Sequence, residues 1–534
     1  MSSPIRPTTT KKGYFKLLII LFGVLPTIQL LYPTASIHAQ KANRLFPTTP
    51  PAMVTIDDTQ HYQTINGFGI SEAFGQAEQI RTLSSQSDQK KILDLLFNTS
   101  TGAGFSILRN LLPSDYFNTI EPKDPGGPNA TPQYQWNHNS GGQIWLSKQA
   151  RKTYGVKQFY LDAWSAPGFM KTNGTENNGG TLCGVPGASC PSGDWRQAYA
   201  NYLVQYIRDY QSEGIPVSYI GPVNEPGFTT GYSSMDMTPA QMADFVTVLG
   251  QALRASQLHS QIVCCDTVGW RDAQNYADAI TQDPITNNAV SIISSHGYSA
   301  APNSPLTGIG QKHTWETEWG TLGDQWDPSW DSGSKGSGLS WAQNIYTGLT
   351  AANLNAFFYW WGLGFNVSDD GVLMRYHNNS LEISKRLWAF ANYSRFVRPG
   401  AIRIAATASD NNLETTAFKN TDGSLSLVVL NTASSDMPVA FSLQKAGILP
   451  NCVATPYLTD ASHDTAAQAQ LHIQQQKFSA TVPARSLVTY QVSCHTTKTL
   501  SRHIVYTVCG HRLQVQQAER ISFCDRRQYS RKSP

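Results

Sequence analysis

Only 14% of the 534 residues are charged and only eight are cysteine. Beyond residue 33 no apolar run approaches the roughly 18 residues that a membrane-spanning helix needs, which argues against further spans. No cysteine or histidine spacing suggests a zinc site, so neither a metal nor another cofactor is expected. Cys183 and Cys190 bracket a short loop, CGVPGASC, and Cys452 can meet Cys494 across the C-terminal region. The adjacent Cys264 and Cys265 sit in the apolar run IVCCDTVG and read as buried thiols. An excess of positive charge is also missing from the body of the chain. Residues 1–39 carry four Lys and Arg and no acid, and residues 495–534 carry eight against two acids, leaving 28 basic and 35 acidic residues between them. That balance gives no support to a nucleic-acid partner.

The one long apolar stretch, LLIILFGVLPTIQLLYP, follows Lys11, Lys12 and Lys16 and ends in TASIHAQ, with small residues around Ala39. A basic start, an apolar middle broken by Pro26 and a small-residue end read as a secretory signal over residues 1–39. The expectation is a secreted protein with no stable membrane association after cleavage; an uncleaved anchor is the rival reading. Export permits disulfides.

Between residues 62 and 362 strand-like and helical patterns alternate. The strand-like runs are YQTINGFGI, GFSILRN, VKQFYLDAW, VSYIGPVNE, QIVCCDTVG, VSIISSHGY, HTWETEWG and NAFFYWWG. Helical stretches lie at residues 84–98, 195–214, 238–256 and 339–354. In the second of these Trp195, Tyr199, Tyr202, Tyr206 and Tyr210 recur at intervals of three and four, and Gly214 supplies the stop. Thr238 is placed to cap the third, with Pro239 in its first turn. Eight strands alternating with helices over about 300 residues predict an α/β fold, a (β/α)8 TIM barrel rather than an open sheet. The crossovers between strands one and two and between five and six are faint. The Gly/Pro/Asn-rich loops at 111–142 and 170–194 read as insertions over a binding face. After residue 397 the texture changes to short alternating runs such as LSLVVLNT and SLVTYQVSC, a side β-sandwich domain to which MVTIDDTQHYQTI contributes a strand. The expected organisation is a signal peptide at 1–39, an N-terminal linker and strand at 40–61, the barrel at 62–397 and the β-sandwich at 398–494. A basic tail without periodicity, expected to be disordered, follows at 495–534.

Two carboxylates stand out. In HTWETEWG strand alternation puts Glu316 and Glu318 on one face and Trp315, Thr317 and Trp319 on the other. Barrel chemistry sits at the C-terminal mouth, and Glu318 is one pleat nearer to it. SYIGPVNEPG ends the fourth strand with Asn224 and Glu225, where Pro226 halts the ladder. Two glutamates across a barrel mouth, about 5 to 5.5 Å apart, suit double-displacement glycoside hydrolysis, one protonating the leaving oxygen and one attacking the anomeric carbon. Asn224 then lies near the sugar 2-hydroxyl. Trp164, Phe169, Tyr298, Trp360 and Trp361 fall at or just after strand ends and suit either pyranose faces or the barrel core. Arg109, at the end of strand two, is placed to hold a carboxylate ionised. His296 reads equally as a residue orienting a glutamate or hydroxyl and as a satisfied core histidine.

GFGISEAFG, SILRN, WSAPGFMK, GPVNEP, SSHGYS, the Trp-x-Thr-Glu strand and FANYSRFVRPGAIRI, in that order, resemble glycoside hydrolase family 30 over residues 50 to 494. The resemblance implies a retaining glycosidase with a barrel fused to a β-domain built from both ends of the chain. It assigns Glu225 as acid/base, Glu318 as nucleophile, Arg109 and Tyr298 as support for the nucleophile and Trp164 as groove residue. GISEAFGQA resembles the xylanase and glucuronoxylanase branch, with Gln76 where some glucuronoxylanases carry an arginine that grips glucuronate. The implied partner is a plant polysaccharide, most simply β-1,4-xylan, cleaved by an endo-acting monomer. A β-1,6-glucanase, a glucosylceramidase-like hydrolase and a non-catalytic carbohydrate-binding protein are the alternatives.

Overall fold

The computed structural model describes residues 50–114, 119–445 and 452–494. The signal peptide expected at 1–39 and the basic tail expected at 495–534 lie outside the described residues. Among the described residues no helix is long and apolar enough to cross a membrane.

The eight expected strands form a closed parallel barrel. They are β1 (Gly67–Ser71), β2 (Ile107–Leu112), β3 (Gln158–Ala163), β4 (Tyr219–Gly221), β5 (Gln261–Thr267), β6 (Val290–His296), β7 (His313–Glu318) and β8 (Ala356–Phe365). Each pairs with the next, and β8 pairs with both β1 and β7 to close the ring. Tyr160, Tyr219, Trp315 and Phe358 fill the interior with aliphatic residues from the other strands, so the barrel is a packed core with chemistry only at its rim.

The four expected helices are present at Gln86–Phe97, Arg196–Ser212, Pro239–Ala255 and Gly338–Thr350. Thr238 accepts from the Gln241 N–H while the Gln241 side chain accepts from the Thr238 N–H, a full capping box with Pro239 in the first turn. Gly214 ends its helix with φ 77°, a left-handed conformation costly for any residue with a Cβ. The two faint crossovers are helical as well, with Gln76–Arg81 leading the first and Trp270–Gln282 and Pro284–Ala289 filling the second.

Among the described residues the second sheet has ten strands. Ala52–Thr64 enters it between Ile402–Ala408, antiparallel, and Met437–Lys445, parallel, so the N-terminal strand joins the C-terminal region as expected. Gln475 and Gln476 take left-handed φ values of 48° and 59° and separate the strands Leu471–His472 and Lys477–Val482. Asn392, on the helix Lys385–Ser394, ties this sheet to the barrel through Thr459 and Thr489.

Disulfides join Cys183 to Cys190 and Cys452 to Cys494. Cys264 and Cys265 are not free thiols. They form a disulfide with each other across a cis peptide, their Cα atoms 2.9 Å apart, a local geometry that spacing in a sequence does not reveal.

Candidate active site

The C-terminal ends of the barrel strands open into a cleft of about 1170 Å³ that both Glu225 and Glu318 line. Regular β4 pairing stops at Gly221, so Glu225 stands on an irregular segment beyond the strand, with a left-handed φ of 48°. Its N–H donates to the Asp266 carbonyl (2.9 Å), and the Asn224 N–H donates to the Ala163 carbonyl (2.7 Å), which moors the segment to β5 and β3. Gly221 is required there. A Cβ at that position would collide with the Asp162 carboxylate and the Tyr160 hydroxyl.

Glu318 reaches the cleft by a different device from simple alternation. Trp315 lies in the barrel interior and Thr317 donates inward to Asp266 Oδ1 (2.8 Å), whereas Glu316 Oε2 accepts the Phe358 N–H (3.0 Å) on the neighbouring strand. The expected shared face of Glu316 and Glu318 is therefore corrected. A register shift between β6 and β7, where Ser295 pairs with Glu316 but His296 with Glu318, turns Glu318 into the mouth. Burial drives the Glu316 carboxyl well above the ordinary range, which suits a structural acid held neutral between strands.

Arg109 is fully buried at the hub. Its Nη1 donates to Glu318 Oε2, and Nη2 donates to Asp162 Oδ2 (2.6 Å), Asn224 Oδ1 (2.6 Å) and Asp266 Oδ2 (3.1 Å). Burial opposes its charge, but the surrounding carboxylates of Asp162, Glu318 and Asp266 hold it protonated. Tyr298 donates to Glu318 Oε1 (2.9 Å), so both carboxylate oxygens of Glu318 accept a hydrogen bond. His296 Nδ1 lies 2.9 Å from Glu225 Oε1, and its Nε2 lies 3.8 Å from Glu318 Oε2 and 3.9 Å from Asp266 Oδ2. Burial would discharge the ring, yet Glu318, Asp266 and Glu225 together raise it to about 10, so it stands as an imidazolium between the two glutamates. Burial also works against an ionised Asp266, but the His296 ring and the Arg109 charge hold its carboxyl below the usual range. Burial raises the Asp162 carboxyl instead.

One oxygen of Glu225, one of Glu318 and one ring nitrogen of His296 lie within 4.8 Å of one another, a donor set that a cation could in principle use. The Arg109 guanidinium already sits on Glu318, and a divalent ion would meet that fixed positive charge. One oxygen of Glu225 and one of Glu318 thus lie at most 4.8 Å apart, close enough for both carboxylates to meet one small group in the cleft.

The family model described as O-Glycosyl hydrolase family 30 matches residues 127–373, and that described as Glycosyl hydrolase family 30 beta sandwich domain matches residues 400–490. The catalytic domain of GH30 xylanase C from Talaromyces cellulolyticus is 40% identical, with a TM-score of 0.77, over 83% of this chain and 100% of that one. The chain belongs to glycoside hydrolase family 30. This family 30 hydrolase is also 26% identical over 443 residues to the lysosomal acid glucosylceramidase of Mus musculus, covering 78% of the chain and 83% of that protein. It is 26% identical over 427 residues to the endo-1,6-beta-D-glucanase neg1 of Aspergillus fumigatus, covering 73% and 83%.

The family 30 cleft draws in most of the residues singled out from sequence. Trp164, Asn224, Tyr298, Trp360 and Trp361 line it, and Arg109 and His296 stand directly behind the glutamates. Two residues are elsewhere. Gln76 is buried on its helix and accepts the Phe365 N–H (3.2 Å), because the chain turns at Gly75 and presents Phe74 to the cleft in its place. Phe169 packs edge-on against Trp195 at 5.4 Å, outside the cleft lining. Among the described residues, neither loop 111–142 nor loop 170–194 contributes to that lining. The second instead props the segment after β4 from behind, the Asn178 N–H donating to the Thr230 carbonyl and Lys171 Nζ to the Ser234 carbonyl.

Sequence reasoning passed over Asp162 and Asp266, although each is an acid at the end of an apolar barrel strand, the same signal that marked Arg109. It also passed over Phe74, Phe228 and Tyr232. Phe74 is 43% exposed and meets Trp164 (5.5 Å), Tyr232 (6.0 Å) and Trp360 (6.1 Å) edge-on, forming one wall of the cleft.

Proposed function

We propose that this glycoside hydrolase is a secreted, monomeric, retaining endo-β-glycosidase acting on β-1,4-xylan, without a cofactor or a nucleic-acid partner. The spacing of Glu225 and Glu318 supports the mechanism: one oxygen of each lies within 4.8 Å of the other, nearer to the about 5 to 5.5 Å of retaining pairs than to the about 6.5 to 9.5 Å at which inverting pairs admit water. Glu318, held by Arg109 and Tyr298, attacks the anomeric carbon while Glu225, beside the His296 ring, protonates the leaving oxygen. Glu225 then takes a proton from water, and that water opens the glycosyl ester. Asn224, fixed by Arg109 at its carbonyl oxygen, keeps its amide donor for the sugar 2-hydroxyl. Trp164, Trp360, Trp361 and Phe74 supply flat faces for the sugar rings.

Xylan is favoured over other β-glycans by the 40% identity to a GH30 xylanase across the full length of that catalytic domain. β-1,6-Glucan is the second reading, supported by the likeness to the endo-1,6-beta-D-glucanase. Secretion rests on the N-terminal pattern of basic, apolar and small residues. Incubation with arabinoxylan, glucuronoxylan and β-1,6-glucan, followed by product sizing and NMR of the first-formed anomer, tests the proposal. Xylo-oligosaccharides released with retained β configuration are expected. Inverted product would overturn the mechanism, and release from β-1,6-glucan alone would overturn the substrate.

A further inference from the structure

Asp266 meets every part of the acid/base and nucleophile apparatus without lining the cleft. Its Oδ2 accepts from Arg109, which holds Glu318, and from the Tyr160 hydroxyl (2.8 Å). Its Oδ1 accepts from Thr317, the residue before Glu318. The same carboxylate stands 3.9 Å from the His296 ring, whose other nitrogen meets Glu225. Its backbone carbonyl accepts the Glu225 N–H, and its own N–H donates to Ser294 Oγ (3.0 Å). Such a web needs the residue in a left-handed conformation, φ 46°, directly after the Cys264–Cys265 disulfide. The ordinary alternative is a buried carboxylate serving only to neutralise Arg109, but that role requires none of the contacts with Thr317, Tyr160 and the Glu225 N–H.

We infer that Asp266 is a positioning residue that sets both the spacing and the charge balance of Glu225 and Glu318. The inference rests on the roles proposed above for those two glutamates. Its negative charge faces Arg109 from β2, Tyr160 and Asp162 from β3, Glu225 beyond β4, His296 from β6 and Glu318 from β7. A negative charge at this point favours the protonated His296 ring that stands between the two glutamates, and removing it makes that ring easier to deprotonate.

Asp266→Asn keeps the shape and removes the charge. On the polysaccharide that the wild type cleaves, kcat is expected to fall about tenfold or more with KM little changed, the scale of one lost charge-assisted hydrogen bond. The alkaline limb of the pH profile of kcat/KM is expected to move to lower pH by about half a unit or more, because the His296 ring loses the charge 3.9 Å from it. A purely structural role would lower activity without displacing the profile. A folded Asp266→Asn with kcat within twofold of wild type, or with an unmoved profile, overturns the inference. If that variant does not fold, Tyr160→Phe decides, since it strips one donor from Asp266 Oδ2: a fall in kcat of about threefold or more at constant KM supports the inference and an unchanged kcat overturns it. Azide rescue of Glu318→Ala, run in parallel, reports on the nucleophile assignment alone, so a failure of that assignment is separable from a failure of this one.

Discussion

Arg109→Lys preserves a positive charge at the hub and removes only its geometry. In the wild type one nitrogen serves Glu318, while the other is shared by Asp162, Asn224 and Asp266. A single ammonium on a shorter fork cannot occupy both places. If it settles among the three oxygens on the β3, β4 and β5 side, Glu318 loses a charge-assisted hydrogen bond, worth about 1.5 to 3 kcal/mol. At 1.36 kcal/mol per tenfold, kcat should fall by about 10- to 150-fold. Initial rates over a range of polysaccharide concentrations, with circular dichroism as a check on the fold, give kcat and KM. A kcat within threefold of wild type in a folded variant would refute the claim that Arg109 keeps Glu318 ready to attack.

Glu225→Gln should lose about 10²- to 10⁴-fold on polysaccharide, the usual range for a lost general acid, and far less on aryl glycosides whose leaving groups need no proton. Equal losses on both substrates would remove Glu225 from the acid role. Glu318→Ala should be inactive and regain turnover with added azide or formate; a folded variant without rescue would contradict the nucleophile assignment. His296 is raised in the folded state from an ordinary 6.5 to about 10, so its contribution to stability is complete below about pH 6.5 and fades as pH rises towards 10. Melting temperatures measured across that window should fall more steeply for wild type than for His296→Gln, and parallel curves would show the ring to be neutral.

Much of this molecule is legible before folding because it depends on local chemistry. Barrel strands announce themselves as short apolar runs, and all eight are where those runs lie. Thr238, Pro239 and Gly214 mark helix ends through the orphaned groups and positive φ that such ends impose. Glu225, Glu318 and Arg109 were visible because a charge at the end of an apolar barrel strand demands a reason. Where local rules misled, a neighbouring strand had intervened. Alternation failed at Glu316 because β6 and β7 slip against one another, and a slip belongs to the pair rather than to either strand. Gln76 and Phe169 lie next to cleft residues in sequence but turn away from the cleft, Gln76 towards the Phe365 N–H and Phe169 towards Trp195.

Residue order therefore dictated the barrel, the joined β-domain and the identity of the two glutamates, since each follows from periodicity or from a charge out of place. What folding alone decided is the closeness of those glutamates and the company they keep. Glu225 and Glu318 come within 4.8 Å, with His296 between them and Arg109 and Asp266 behind, only because a closed ring brings the ends of five separate strands to one rim. No stretch of chain contains that convergence, and buried charges tolerate it only when all are present together.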